Sequence, residues 1–355
     1  MDDFSLRHTP YSDPGDLDAA ALPRGPRRLA ELVRGLVLHR LEGERFGYTI
    51  PGERLHHDAE SRYVTEILRI LRERGTGPLT EERPYDQRFV GTCRDFALLL
   101  CSLLRTTGTP ARVRGGYATY FVAGFHDDHW VTEYQLPDGT WRLADPQVLH
   151  PSYGVPFDAL DVPRDRFLVA GQAWRACRAG EADWDTFGVW VVPGLRGLDP
   201  VAHAVVLDLA ARTGTEPLPW DDWSPWDGHL AEDDVALLDT VAAAGTEGEL
   251  RRLSTDPRLA VPPRDPVPRA VPRSADRQAP SAVSSTSLST VFQFRLVAIR
   301  PWVRRGRDRA SASLERPRPS GAYRYRQRSP RRNSSGTNAA ASMPAKRSGA
   351  TGAEK

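Results

Sequence analysis

Cysteine is scarce in this chain: three in 355 residues, Cys93, Cys101 and Cys177. So sparse and odd a set argues against a disulfide framework and for a reducing compartment. Long apolar runs are missing too. None approaches the roughly 18 residues that a membrane-spanning helix needs, which excludes an integral helical membrane protein. The opening MDDFSLRHTPYSDPG has no basic n-region and no apolar h-region. No secretory signal is read, and the expected compartment is the cytoplasm. Gly115-Gly116 and Gly194-Leu195-Arg196-Gly197 match no phosphate-binding fingerprint. His126-Asp127-Asp128-His129 offers ligating side chains, but no Cys/His cluster supplies a third and fourth ligand. Neither a metal nor an organic cofactor is expected.

What is present is 40% hydrophobic and 26% charged. The net charge of +2 averages two unlike parts. Residues 261–355 hold 20 Lys and Arg against 5 Asp and Glu, leaving 28 against 41 in residues 1–260. An acidic body with a basic tail is not a uniformly basic nucleic-acid binder. The tail opens with six prolines in residues 261–280 and continues rich in Arg, Ser and Pro. It cannot bury enough apolar surface to offset its ordering entropy, so disorder is expected there. Nucleic acid is expected as a partner only through that tail, if at all.

Periodicity organises the body. Residues 1–26 read as an extended lead-in. Helical spacing predicts helices over 27–40, 61–74 and 93–106, the last with Phe96, Leu99, Leu100, Leu103 and Leu104 on its apolar face. Residues 76–90 read as a loop. Alternation predicts strands over 111–121, 128–136 and 140–147, the last two joined by Pro137-Asp138-Gly139, a hairpin signal. Further helices are expected over 167–179, 199–212 and 233–244. One helix followed by antiparallel strands is an α+β pattern. The division read is a helical flank over 1–80, a core over 81–160, a helical extension over 161–260 and the tail.

Cys93, in Gly-Thr-Cys-Arg-Asp-Phe, falls in the first turn of its predicted helix. Unpaired N–H groups and the helix dipole stabilise an anion there, so a thiol at that place should ionise more readily than a free one. The plainer role for a lone cysteine is a small buried side chain, which suits Cys101 and Cys177. A thiolate nucleophile needs a base, and the base needs an orienting acceptor. A three-residue hairpin loop makes paired residue numbers sum to 276. His129 and Asp145 then share a face as diagonal neighbours, about 7–8 Å apart at Cβ. A two-residue loop would separate them, because register parity decides the face.

These blocks, with Leu103-Leu104-Arg105-Thr106-Thr107-Gly108-Thr109-Pro110-Ala111-Arg112, Gly116-Tyr117, His129-Trp130-Val131-Thr132-Glu133 and Trp141-Arg142-Leu143-Ala144-Asp145-Pro146, resemble the transglutaminase-like superfamily over residues 85–150. The resemblance implies a papain-like, cysteine-proteinase-like α+β core with flanking helices. It implies Cys93 as nucleophile, His129 as base and Asp145 as orienter. Gln87, six residues before Cys93, matches the spacing at which papain-like enzymes place an oxyanion donor; Gln147, opposite His129, is a second candidate. Tyr117, Trp130 and Glu133 are candidate cleft-lining residues. Trp220, Trp223 and Trp226 read as a docking segment more than as an aromatic platform. The expected function is thiol-dependent acyl transfer on a peptide or amide, as hydrolase or transglutaminase-type transferase. The alternative is a silent binding or scaffold module. The oligomeric state is not legible.

Overall fold

The computed structural model describes residues 5–223, 226 and 229–261. The tail expectation falls, from residue 262 on, outside the described residues.

The first predicted helix ends early. Helix α1 spans Pro26–Leu36, with Pro26 preset for a first helical position. Val37–His39 then becomes strand β1. A short α2 (Gly52–His57) precedes α3 (Val64–Arg74), which buries Val64, Ile67, Leu68, Ile70 and Leu71. The loop expected over 76–90 closes with strand β2 (Phe89–Gly91), parallel to β1, with His39 opposite Gly91. Asp58 anchors β2, accepting the Val90 N–H at 2.9 Å while paired to Arg74. The next helix, α4 (Cys93–Thr106), is buried from Cys93 through Arg105, not along one stripe. A helix enclosed all round is the centre of a core.

Three antiparallel strands cover α4: β3 (Ala111–Ala118), β4 (His126–Gln135) and β5 (Trp141–Ala144). The β4–β5 register pairs Thr132 with Ala144 and Gln135 with Trp141, so paired numbers do sum to 276. Leu136 N–H meets the Thr140 carbonyl at 2.8 Å around the three-residue loop. Strand β5 stops before Asp145, short of the expected residue 147. Pro146 has no N–H for the ladder, and residues 146–149 coil into a 3-10 turn instead. The helix expected over 167–179 is a strand, β6 (Phe167–Val169), then a helix, α5 (Ala170–Arg178). Strand β6 pairs with β3 beside Gly116, where any Cβ would strike the Leu168 carbonyl. Strand β7 (Phe187–Gly188) adds in parallel to the His126 end of β4. Helices α6 (Leu198–Arg212), α7 (Glu232–Ala243) and α8 (Glu247–Leu253) complete the described chain.

The lead-in is not merely extended. Tyr11 and Leu22 are buried in the cluster around α4, and the Ser5 carbonyl accepts from Ala111 N–H at 2.9 Å. That cluster draws Leu29, Val33, Ile67 and Leu71 from the helical flank together with Phe96, Leu99 and Leu103. A second cluster gathers Trp174, Phe187, Val205 and Leu238.

Candidate active site

Cys93 is the first residue of α4. Asp95 braces this end: its Oδ2 accepts the Thr92 backbone N–H at 2.8 Å and the Thr92 hydroxyl at 3.2 Å. Gly91 is required for that brace, since a Cβ there would lie 2.7 Å from the Asp95 Oδ2. The N–H of Cys93 belongs to the helix's first turn and has no intrahelical acceptor.

His129 and Asp145 meet as the register requires. His129 Nε2 lies 2.8 Å from Asp145 Oδ2, with both side chains almost wholly enclosed. The Asp145 carboxylate is held from two further directions. The Tyr120 hydroxyl donates to Oδ2 at 2.7 Å and the Gln147 N–H to Oδ1 at 3.0 Å. Cys93 and His129 line one cavity, and each favours the charged form of the other. With Nε2 given to Asp145, Nδ1 is the nitrogen left for the thiol.

Electrostatics couples the two groups. Burial disfavours the imidazolium, but Asp145 and the Cys93 thiolate outweigh it and push His129 up to about 10. Burial pushes the Cys93 thiol up, opposed by the His129 charge. The rise at His129 is caused by a fixed carboxylate in a dry surround, where opposite charge counts for more than in water. Phe121 supplies part of that surround, its ring edge-on to His129 at 4.8 Å.

A cavity of about 270 Å³ opens at Cys93. His39 and Arg40 form one wall, Asp127 and Asp128 another, and Trp220 and Val189 also line it. His39 Nδ1 accepts the Leu41 N–H at 3.2 Å. Burial, with the neighbouring charges of Arg40 and His129, lowers its pKa to about 3. A neutral imidazole with Nδ1 so engaged carries its proton on Nε2, as a donor.

The other expected site residues divide. Gln147 lines the cavity, its Nε2 donating to the Tyr153 hydroxyl at 3.1 Å and its buried Oε1 unpartnered. Gln87 does not line it. Residue 87 ends a 3-10 turn, Tyr85–Gln87, and its amide oxygen packs over Gly75 at the end of α3. Tyr117 and Trp130 are core residues: Tyr117 sits edge-on to Phe187 at 5.1 Å, and both border a separate, smaller cavity. Glu133 is buried among arginines, with Arg112 at 2.7 Å, Arg114 at 2.8 Å and Arg164 at 2.6 Å. Burial opposes its charge, but the three guanidiniums hold its carboxyl well below the usual range. It is a structural hub.

The His126–His129 run likewise separates. His126 stacks on Phe187 at 4.0 Å, Asp127 accepts the Trp190 N–H at 2.8 Å, and His129 is taken by Asp145. The tryptophans split as well: Trp220 faces the cavity, whereas Trp223 and Trp226 pack against the two apolar clusters. Sequence reasoning missed Tyr120, His39 and Arg40. The first stood at the end of a predicted strand and the other two at the end of a predicted helix.

Residues 60–146, about a quarter of the chain, match the sequence model of the transglutaminase-like superfamily. This segment is a transglutaminase-like core within an α+β chain with flanking helices. A solved structure from Cytophaga hutchinsonii, described as a "Putative Cysteine Protease", aligns with 43% of this chain at 20% identity and a TM-score of 0.17. The alignment spans about half of that protein, 47% of its length. No curated protein matches the chain. Among the described residues no helix is long and apolar enough to cross a membrane.

Proposed function

We propose that the protein is a thiol-dependent acyl-transfer enzyme acting on a peptide or amide, with Cys93, His129 and Asp145 as its catalytic triad. The observation that carries this reading is that His129, bonded to the Asp145 carboxylate at 2.8 Å, lines one cavity with Cys93, each favouring the other's charged form. A nucleophile, a base and an orienter in series are what acyl transfer needs.

In the proposed cycle the thiol proton rests on His129, and the Sγ thiolate bonds to the carbonyl carbon. The tetrahedral oxyanion is met by the Cys93 N–H, with Gln147 and the His39 Nε2–H as side-chain donors on the same cavity. His129 returns the proton to the leaving nitrogen as the C–N bond breaks, leaving a thioester. Water, or an amine, then gives its proton to His129 and attacks the thioester carbonyl, and the thiol is restored. Hydrolysis is favoured over crosslinking, because among the described residues none marks a site for an amine acceptor.

One observation favours a second reading, a silent binding module: burial raises the Cys93 thiol. Intact-mass trapping of a thioester with candidate peptide amides separates the two. A mass increase by the acyl group that disappears in Cys93→Ala supports the enzyme. Specific peptide binding with no covalent adduct supports the module.

A further inference from the structure

Arg40 stands on the cavity wall with no counterion among the described residues. Its own N–H donates to the Gly91 carbonyl at 2.9 Å, which ties it to the strand that leads into Cys93. Its guanidinium lies over the indole of Trp220, 4.9 Å from the ring centroid. Neighbouring arginines are committed. Arg34 pairs with Glu42 at 2.9 Å, and Arg45 donates to the Ser152 carbonyl at 2.8 Å. Among the described residues, no carboxylate pairs with Arg40.

The Trp220 platform is fixed in turn. Arg94 donates to the Glu216 and Pro217 carbonyls at 2.8 and 3.1 Å, and Arg62 clamps Asp221 at 2.7 Å. A guanidinium stacked on an aromatic ring spends its face on the contact and keeps its in-plane N–H donors for a planar acceptor. A desolvated guanidinium left unpaired is costly, and a bidentate carboxylate removes that cost. Burial lowers the Arg40 pKa, and the first of the groups that pull it back up is the Cys93 thiolate, ahead of Asp95 and Glu60.

We propose that Arg40, braced on Trp220, anchors a carboxylate of the substrate, so that the enzyme acts on acyl groups carrying a free carboxylate close to the scissile bond. Asp127, on another wall, disfavours a carboxylate there and so helps to fix which way such a substrate lies. This inference rests on the thiol reading above and names its substrate class.

Iodoacetate and iodoacetamide test it without a known substrate. Both alkylate a thiolate by the same displacement, in which the Sγ–CH2 bond forms and iodide leaves, and only one carries a carboxylate. The readout is the iodoacetate-to-iodoacetamide rate ratio at Cys93, resolved by peptide mass. In the folded protein it should exceed the ratio in the denatured chain by roughly tenfold or more, the worth of one charge-assisted bond. The iodoacetate rate should saturate. Arg40→Gln should collapse the ratio and Arg40→Lys should keep part of it. The attraction of His129 for the anion is common to every variant, so the change in ratio reports Arg40. A ratio unaltered in folded Arg40→Gln overturns the proposal, as does an equal fall in both rates, which would make Arg40 a stabiliser of the thiolate.

Wild-type protection covers the case in which the variants do not fold. Propionate should slow iodoacetamide at Cys93 and propionamide should not; equal protection, or none, overturns the proposal. If neither reagent labels folded Cys93, the thiol reading falls and this inference falls with it.

Discussion

Cys93 and Cys101 lie on one helix, eight residues apart, and their surroundings differ: Cys93 lines the cavity beside His129, whereas Cys101 does not line it. Cys101 is enclosed in the apolar centre of α4, and burial pushes its thiol up to about 12. Burial is the largest influence on the Cys93 thiol too and raises it, but there the helix start and the His129 charge pull toward the thiolate. On the proposed function, position along the helix axis, not residue type, separates the nucleophile from the filler.

The largest expected effect is the loss of the nucleophile. Cys93→Ala should cut acyl transfer by on the order of 10⁴-fold or more with the fold retained. A residual rate near wild type would erase the distinction between the two thiols. Asp145→Asn should come next. The amide can present an N–H to Nε2 and favour the wrong tautomer, for a fall of roughly 10²- to 10⁴-fold in kcat. Steady-state kinetics beside an unchanged thermal midpoint would check it. Cys101→Ser should do the reverse, leaving turnover intact and lowering stability by about 1–3 kcal/mol, because a hydroxyl is then buried in an apolar surround. Denaturant titration would read that. Among the variants that alter turnover, Tyr120→Phe is the mildest: it removes one of the bonds to Asp145, and kcat should fall about tenfold.

His129 gives a signed pH expectation. Its folded pKa, about 10, lies above the ordinary 6.5. Its pairing with Asp145 therefore contributes stability in full below about pH 6.5, and that contribution is lost as pH rises toward 10. Thermal midpoints of wild type and Asp145→Asn should converge over that window.

The hairpin was the most legible part of the molecule. Pro137-Asp138-Gly139 fixes loop length, loop length fixes parity, and parity puts His129 and Asp145 on one face. The start of α4 was legible for a similar reason, since a polar Gly-Thr pair precedes a long apolar run. The wall opposite Cys93 was hidden. His39 and Arg40 continue the helical spacing of α1, and only the parallel partner at residues 89–91 turns that segment into a strand. Pairing across fifty residues leaves no periodic mark. Gln87 misled because its spacing from Cys93 says nothing about a 3-10 turn that aims it at Gly75. Glu133 misled because its partners Arg112, Arg114 and Arg164 lie on other segments of the chain.

The central claim is tested most directly by the rate of iodoacetamide alkylation, resolved for each cysteine, as pH is raised from 5 to 11. Cys93 should react through the neutral range on a plateau that ends near pH 10, where His129 gives up its proton, and Asp145→Asn should shorten that plateau from its upper end. Cys101 and Cys177 should stay silent until far higher pH. A Cys93 rate that climbs only above pH 9, in step with the other two and indifferent to Asp145, would contradict the account.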